Sequence, residues 1–94
     1  MAFVITEDKI EDGRLVGRVF GKLLHGPTTE EMLKNHPDRV HFRLYDDDGE
    51  LYYAGFYVGP DDDRMFEPLD WAMDFAGCTE MKVRDAKTGK YDTI

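Results

Sequence analysis

The chain opens on a short apolar run, Ala2-Phe3-Val4-Ile5, whose β-branched and aromatic residues predict a first strand. Glu11-Asp12-Gly13 is a turn signal. Arg14 to Phe20 follows, and its Leu15, Val16, Val19 and Phe20 predict a second strand. Gly17 within it predicts a bulge or a close approach of another backbone. After the break at Gly26-Pro27, Thr28 and Glu31 stand at capping-box spacing, so a short helix over about 29–35 is expected. Pro37 must end it, because proline disfavours helical geometry at the residue before it, here His36. Only Met32 and Leu33 are apolar in that segment, which predicts a surface turn of helix.

Residues 40–58 predict a hairpin around an acidic loop that ends in Gly49. Two registers fit. A two-residue turn on Asp48-Gly49 puts Phe42 opposite Gly55. A three-residue loop of Asp47, Asp48 and Gly49 pairs residue 46 with 50. It puts Val40 opposite Phe56, Phe42 opposite Ala54 and Leu44 opposite Tyr52. The second is preferred, because it makes one whole face apolar and a one-residue slip turns every side chain over. It asks for Gly49 in the left-handed region, forming a bulge. The other face then carries His41, Arg43, Tyr45, Leu51, Tyr53 and Tyr57 and is expected to look outward.

Downstream, Pro68 suits the first turn of a main helix over about 67–76. Leu69, Ala72, Met73 and Ala76 recur at helical spacing, and Trp71 and Phe75 widen the stripe. Asp70 and Asp74 share a second face, and Gly77 is the expected residue just past the end. Met81 to Arg84 predicts a strand, Lys87-Thr88-Gly89 a turn, and Tyr91 to Ile94 a closing strand. The order β-β-α-β-β-α-β-β indicates an α+β fold, a mostly antiparallel sheet of about five to six strands with helices on one face. Ninety-four residues fit a single compact domain, 1–94.

Charge changes the picture more than composition does. The formal net charge is −8, and it is unevenly spread. Residues 44–80 hold 11 acids against Arg64 alone. Direct nucleic-acid binding and anionic-membrane binding are disfavoured on that count, because phosphate binding needs clustered Lys and Arg. A basic protein partner is favoured instead. No apolar run is long enough for a transmembrane helix, and no signal peptide is visible. A single cysteine, Cys78, excludes an internal disulfide and fits a reducing, cytoplasmic setting.

Candidate chemistry is sparse. The Asp46-Asp47-Asp48-Gly49-Glu50 run resembles a calcium loop in composition but fails the EF-hand spacing, since Leu44 and Gly55 would stand at its first and twelfth positions. A weak divalent site shared with Asp61, Asp62 and Asp63 is the one metal arrangement conceivable, and no metal or other cofactor is expected. The glycines of Gly17–Lys22 are too closely spaced for a phosphate loop, and Leu23 stands where Ser or Thr belongs. Cys78 with His25, His36 or His41 lacks any spacing that would make a nucleophile–base pair or a zinc site. Asp70 and Asp74, one turn apart, read as a solvated helix face. The expected working surface is therefore Tyr45, Tyr53 and Tyr57 with Asp46, Asp47, Asp48, Glu50, Asp61, Asp62 and Asp63. Carboxylates would steer a basic partner and tyrosines would anchor it, as in a non-enzymatic binding module or an inhibitor of a nucleic-acid-acting protein. A homodimer through the tyrosine face is the alternative, and a small hydrolase a distant third.

Overall fold

A computed structural model describes residues 1–59 and 62–94. Its elements are β1 (Ala2–Asp8), β2 (Val19–Gly21), α1 (Glu30–Lys34), β3 (Val40–Tyr45), β4 (Leu51–Val58), α2 (Glu67–Ala76), β5 (Glu80–Arg84) and β6 (Tyr91–Thr93). A 3-10 turn over Asp63–Phe66 leads into α2. The six strands make one antiparallel sheet in the order β2-β1-β4-β3-β5-β6. The chain is thus an α+β protein with the element order its sequence predicts.

The hairpin tip follows the expected three-residue loop. The Asp46 amide donates to the Glu50 carbonyl at 3.1 Å, and Gly49 takes φ 78°, where a side chain would be strained. The body of the hairpin does not keep that register. Between Leu44 and Tyr45 the pairing slips, so Tyr45 faces Leu51 but Leu44 faces Tyr53. Tyr52 is the extra residue of a β-bulge, and the bulge shifts the rest of β4 by one. Phe42 therefore faces Gly55, and Val40 faces Tyr57. The expected pairings of Phe42 with Ala54 and of Val40 with Phe56 are corrected accordingly.

This slip decides which side chains form the core. Tyr53 is fully buried and Tyr57 is 5% exposed, on the same side as Phe42 and Leu44. The expectation that Tyr53 and Tyr57 look outward is overturned. Gly55 supplies the reason. It lies under the Phe42 ring and against the Val4 backbone, a place only the residue without a β-carbon can fill. Putting Gly55 there turns Tyr53 and Tyr57 inward with it. The Tyr53 hydroxyl has no hydrogen-bond partner among the described residues. Burial, with Asp8 and Cys78 adding to it, pushes its pKa up to about 12. Removing that hydroxyl removes a desolvation cost and breaks no hydrogen bond among the described residues. Tyr53→Phe is expected to leave stability unchanged or raise it by up to about 1 kcal/mol, as read from a urea unfolding midpoint.

The two helices lie on opposite faces, not on one. Trp71 of α2 packs against Phe3, Phe20 and Tyr53, at ring-centroid distances of 6.0, 4.8 and 5.0 Å. Leu33 of α1 packs in a second cluster with Ala2, Val4 and Val58 on the other side of the sheet. Alternation along β1 explains both clusters, since Phe3 and Val4 must point to opposite faces. α1 is capped by Thr29, whose hydroxyl accepts from the Met32 amide at 3.2 Å. The expected cap, Thr28, instead accepts from the Leu23 amide at 2.7 Å. α2 begins with Pro68 in its first turn and ends at Gly77 in the left-handed region, as its sequence predicts. Ala72 is buried, but Met73 and Phe75 are about half exposed (48% and 50%), so neither belongs to the buried stripe.

The strand expected over 14–20 shrinks to Val19–Gly21. Asp8 is the cause. Its carboxylate accepts from the amides of Ile10, Glu11 and Leu15 at 2.9, 2.8 and 3.0 Å and winds residues 9–17 into turns. Burial alone would raise the Asp8 pKa, but these three donors and Arg14 outweigh it and hold the carboxyl below its ordinary value. Its stabilising contribution is therefore complete above about pH 4 and is lost as the pH falls through the lowered value. Asp8→Ala is expected to cost about 2 kcal/mol at neutral pH, since buried donors lose a charged acceptor. Acid titration of the unfolding free energy should show a shallower decline for the variant than for the wild type.

Candidate functional site

The fold distributes the acids in a way the sequence order hides. The two acidic loops sit at opposite ends of β4, whose eight residues span roughly 25 Å. They cannot form one patch or share one metal ion. Among the described residues, no group of three or more His, Cys, Asp or Glu side chains could hold a metal. Asp61 lies outside the described residues.

α2 borders both loops. Asp62 and Asp63 precede it, and Asp46 and Asp47 line a hollow with Leu69 of its first turn and Thr79 beyond its end. Asp70 and Asp74 are exposed on the helix, with Met73 and Phe75 beside them. The exposed side of α2 thus carries two acids and two apolar side chains, with acids of the two loops at its borders. Not all its carboxylates are equally available. Arg64 binds Asp62 through its Nη2 at 2.7 Å and draws that carboxyl down to about 2. Asp46 spends one oxygen on the amides of Asp48 and Glu50, at 2.9 and 2.8 Å. Asp47, Asp48, Glu50, Asp63, Asp70 and Asp74 are exposed and make no ion pair among the described residues.

The helix does not favour this arrangement locally. Like charges at i and i+4, here Asp70 and Asp74, repel by a few tenths of a kcal/mol. Asp74 also sits in the last turn of α2, where the helix dipole favours a cation and where no basic residue is present.

The opposite face of the sheet is basic and aromatic. His41, Arg43 and Tyr45 of β3 project there, beside Lys82 and Arg84 of β5 and Tyr91 of β6. Arg43 is seated over the Tyr91 ring at 3.8 Å, and the Lys82 Nζ lies 5.0 Å from the Tyr45 ring centre. Tyr45 is thus the one tyrosine of the expected three that faces outward, and its neighbours are cations. Sequence order obscured this face, because Arg39 to Arg43 and Lys82 to Arg84 are far apart in the chain and adjacent only through the β3–β5 pairing.

Nothing catalytic assembles around Cys78. It is fully buried, and burial, with Asp46 adding to it, pushes the thiol up to about 11. His25 and His36 line a cleft of about 510 Å³ with Lys22 and Arg64 over an apolar floor of Leu23 and Val58, and Cys78 is not part of it. No helix among the described residues is long and apolar enough to cross a membrane. No family model matches the chain, and no curated protein or solved structure matches it.

Proposed function

We propose that the chain is a small non-enzymatic protein-binding module that engages a basic partner through the acidic outer face of α2. The observation that carries this reading is the pair Asp70 and Asp74. They are solvated and repel each other, and Asp74 opposes the helix dipole, yet they stand between exposed Met73 and Phe75. Asp74 gains nothing for the fold at that position. The face suits a partner that supplies Lys or Arg to the carboxylates and covers the two apolar side chains. Asp47, Asp48 and Glu50 of the hairpin loop and Asp63 before α2 extend the negative field and would speed encounter. An inhibitor that occupies the phosphate-binding surface of a nucleic-acid-acting protein is the sharper form of the same reading. The lone buried thiol is compatible with a reducing compartment.

Self-association through the sheet face is the weaker reading. Two of its three tyrosines lie in the core, and a two-fold contact would set Arg43, Lys82 and Arg84 near their own copies.

Asp74→Lys separates the binding role from folding. The substitution is expected to raise fold stability by about 0.5 kcal/mol, by relieving the dipole and the Asp70 repulsion. Capture of basic proteins on the immobilised chain at low salt should fall sharply at the same time. A variant that captures them as well as the wild type would overturn the reading.

A further inference from the structure

In a chain with 20 acids and 12 Lys and Arg residues, most arginines should find a carboxylate. Apart from Arg18, which lies over the Phe20 ring, the arginines that do not, among the described residues, are Arg39, Arg43 and Arg84. None has an ion-pair partner among the described residues, and all three serve one side of the sheet. Arg39 leans towards the Phe56 ring at 5.9 Å, and Arg43 covers Tyr91. At the edge of this face a hollow of about 210 Å³ is lined by Arg39, His41 and Arg84 together with Pro37, Val40 and Ala86, and no carboxylate is among them. The only acid on the neighbouring part of β5 is Glu80, which holds Lys82 at 3.7 Å.

We propose that the open face of β3, β5 and β6 binds single-stranded nucleic acid, with a phosphate in the Arg39–His41–Arg84 hollow and bases against Tyr45, Tyr91 and the Arg43 guanidinium. The chemistry selects this occupant in two ways. Cations without partners recognise a polyanion, and rings interleaved with those cations on an open sheet are the surface on which unpaired bases stack. An acidic protein would also use the cations, and the polyglutamate titration below distinguishes it. The helices leave the face of β3, β5 and β6 open, because α2 covers the other side and α1 packs on β1 and β4.

The net charge of −8 does not forbid this. The fold carries the acids of α2 to the far side of the sheet, and the shortest dimension of the molecule is 21 Å. That is about twice the screening length at 0.1 M salt. His41 lies in the same hollow. Its pKa is lowered by burial first, and then by Arg84 and Arg39. The inference does not depend on the acidic helix face, which is a separate surface.

The test is fluorescence anisotropy of a labelled mixed-sequence single strand of about 12 nucleotides, a span within one sheet-type site, over a range of salt. Parallel titrations use the matching blunt duplex and a labelled polyglutamate peptide. Binding to the single strand is expected, weakening as salt rises, and weaker for the duplex. Arg43→Gln with Arg84→Gln should reduce affinity at least tenfold and flatten the salt dependence by roughly 0.7 per lost phosphate contact. Tyr91→Leu should reduce affinity about tenfold with the salt dependence unchanged, as expected for a lost stacking contact. Unfolding curves identify any variant that fails to fold, and for such a variant Arg84→Gln alone, at an exposed position, replaces it. No binding of the single strand at low salt would overturn the proposal, as would a double glutamine variant that binds like the wild type. Polyglutamate that binds as tightly as the oligonucleotide and displaces it would assign the face to an acidic protein and overturn it equally.

Discussion

Gly55→Ala is expected to be the most damaging single substitution, costing about 4 kcal/mol or preventing folding. A β-carbon there would run into the Val4 carbonyl oxygen and lie 2.9 Å from the Phe42 Cζ and 3.0 Å from the Val4 carbonyl carbon. Two of these three atoms are backbone, in the strand paired with Gly55 through Ile5. No rotamer change relieves a clash with a strand. Only a separation of β1 from β4 does, and these strands share the longest pairing of β1. Alanine would normally be better than glycine in a strand by roughly 0.5–1 kcal/mol. That gain is several-fold smaller than the cost of overpacking against fixed backbone, so the clash decides the sign. A thermal melt of the purified variant is the check. A melting temperature within a degree or two of the wild type would mean that Gly55 does not lie between Phe42 and Val4.

Trp71→Ala is expected to cost about 3 kcal/mol, at the lower end for a large aromatic residue because the ring is only half-buried. Its indole joins four other rings: Phe3, Phe20, Tyr53 and Phe75, the last stacked at 5.4 Å with an interplanar angle of 15°. The indole bridges β1, β2 and β4 to α2, so its loss frees the helix from the sheet as well as opening a cavity. Trp71→Phe should recover roughly half the loss, because a smaller ring keeps part of the contact. Guanidinium unfolding followed by far-ultraviolet circular dichroism measures both. A Trp71→Ala cost below about 1 kcal/mol would mean that α2 is held by other contacts.

The elements legible in the sequence are those fixed by local chemistry. Pro68, Gly77 and Gly49 mark a helix start, a helix end and a hairpin loop because each answers a backbone requirement of its own position. Trp71 and Ala72 were readable as core from helical spacing. The bulge at Tyr52 was not. It inserts one residue into an alternating pattern, and both registers give plausible apolar faces until the packing around Phe42 is known. Gly55 was the available clue, since a glycine inside a strand marks a close backbone approach.

The candidate surfaces suffered from the same slip. With parity reversed along β4, Tyr53 and Tyr57 moved from a predicted docking face into the core, and only Tyr45 stayed outside. Asp70 and Asp74 were visible as a solvated face, but the place of both acidic loops at the borders of α2 required the tertiary fold. Likewise, Thr28 has capping-box spacing to Glu31 in sequence, yet Thr29 caps the helix. The Leu23 amide, which occupies Thr28, distinguishes them. Asp8 shows the limit of pattern reading most clearly, because one carboxylate turns an apolar run that resembles a strand into a set of turns.

The division of the molecule into an acidic helix face and a basic sheet face rests on the orientation of β4. The most direct measurement is the set of nuclear Overhauser contacts from the Tyr53 ring in isotopically labelled protein. The account predicts contacts to the Trp71 indole, whose ring centre lies 5.0 Å away. Contacts from Tyr53 to Arg43 and His41 instead, with none to Trp71, would place Tyr53 on the outer face and contradict it.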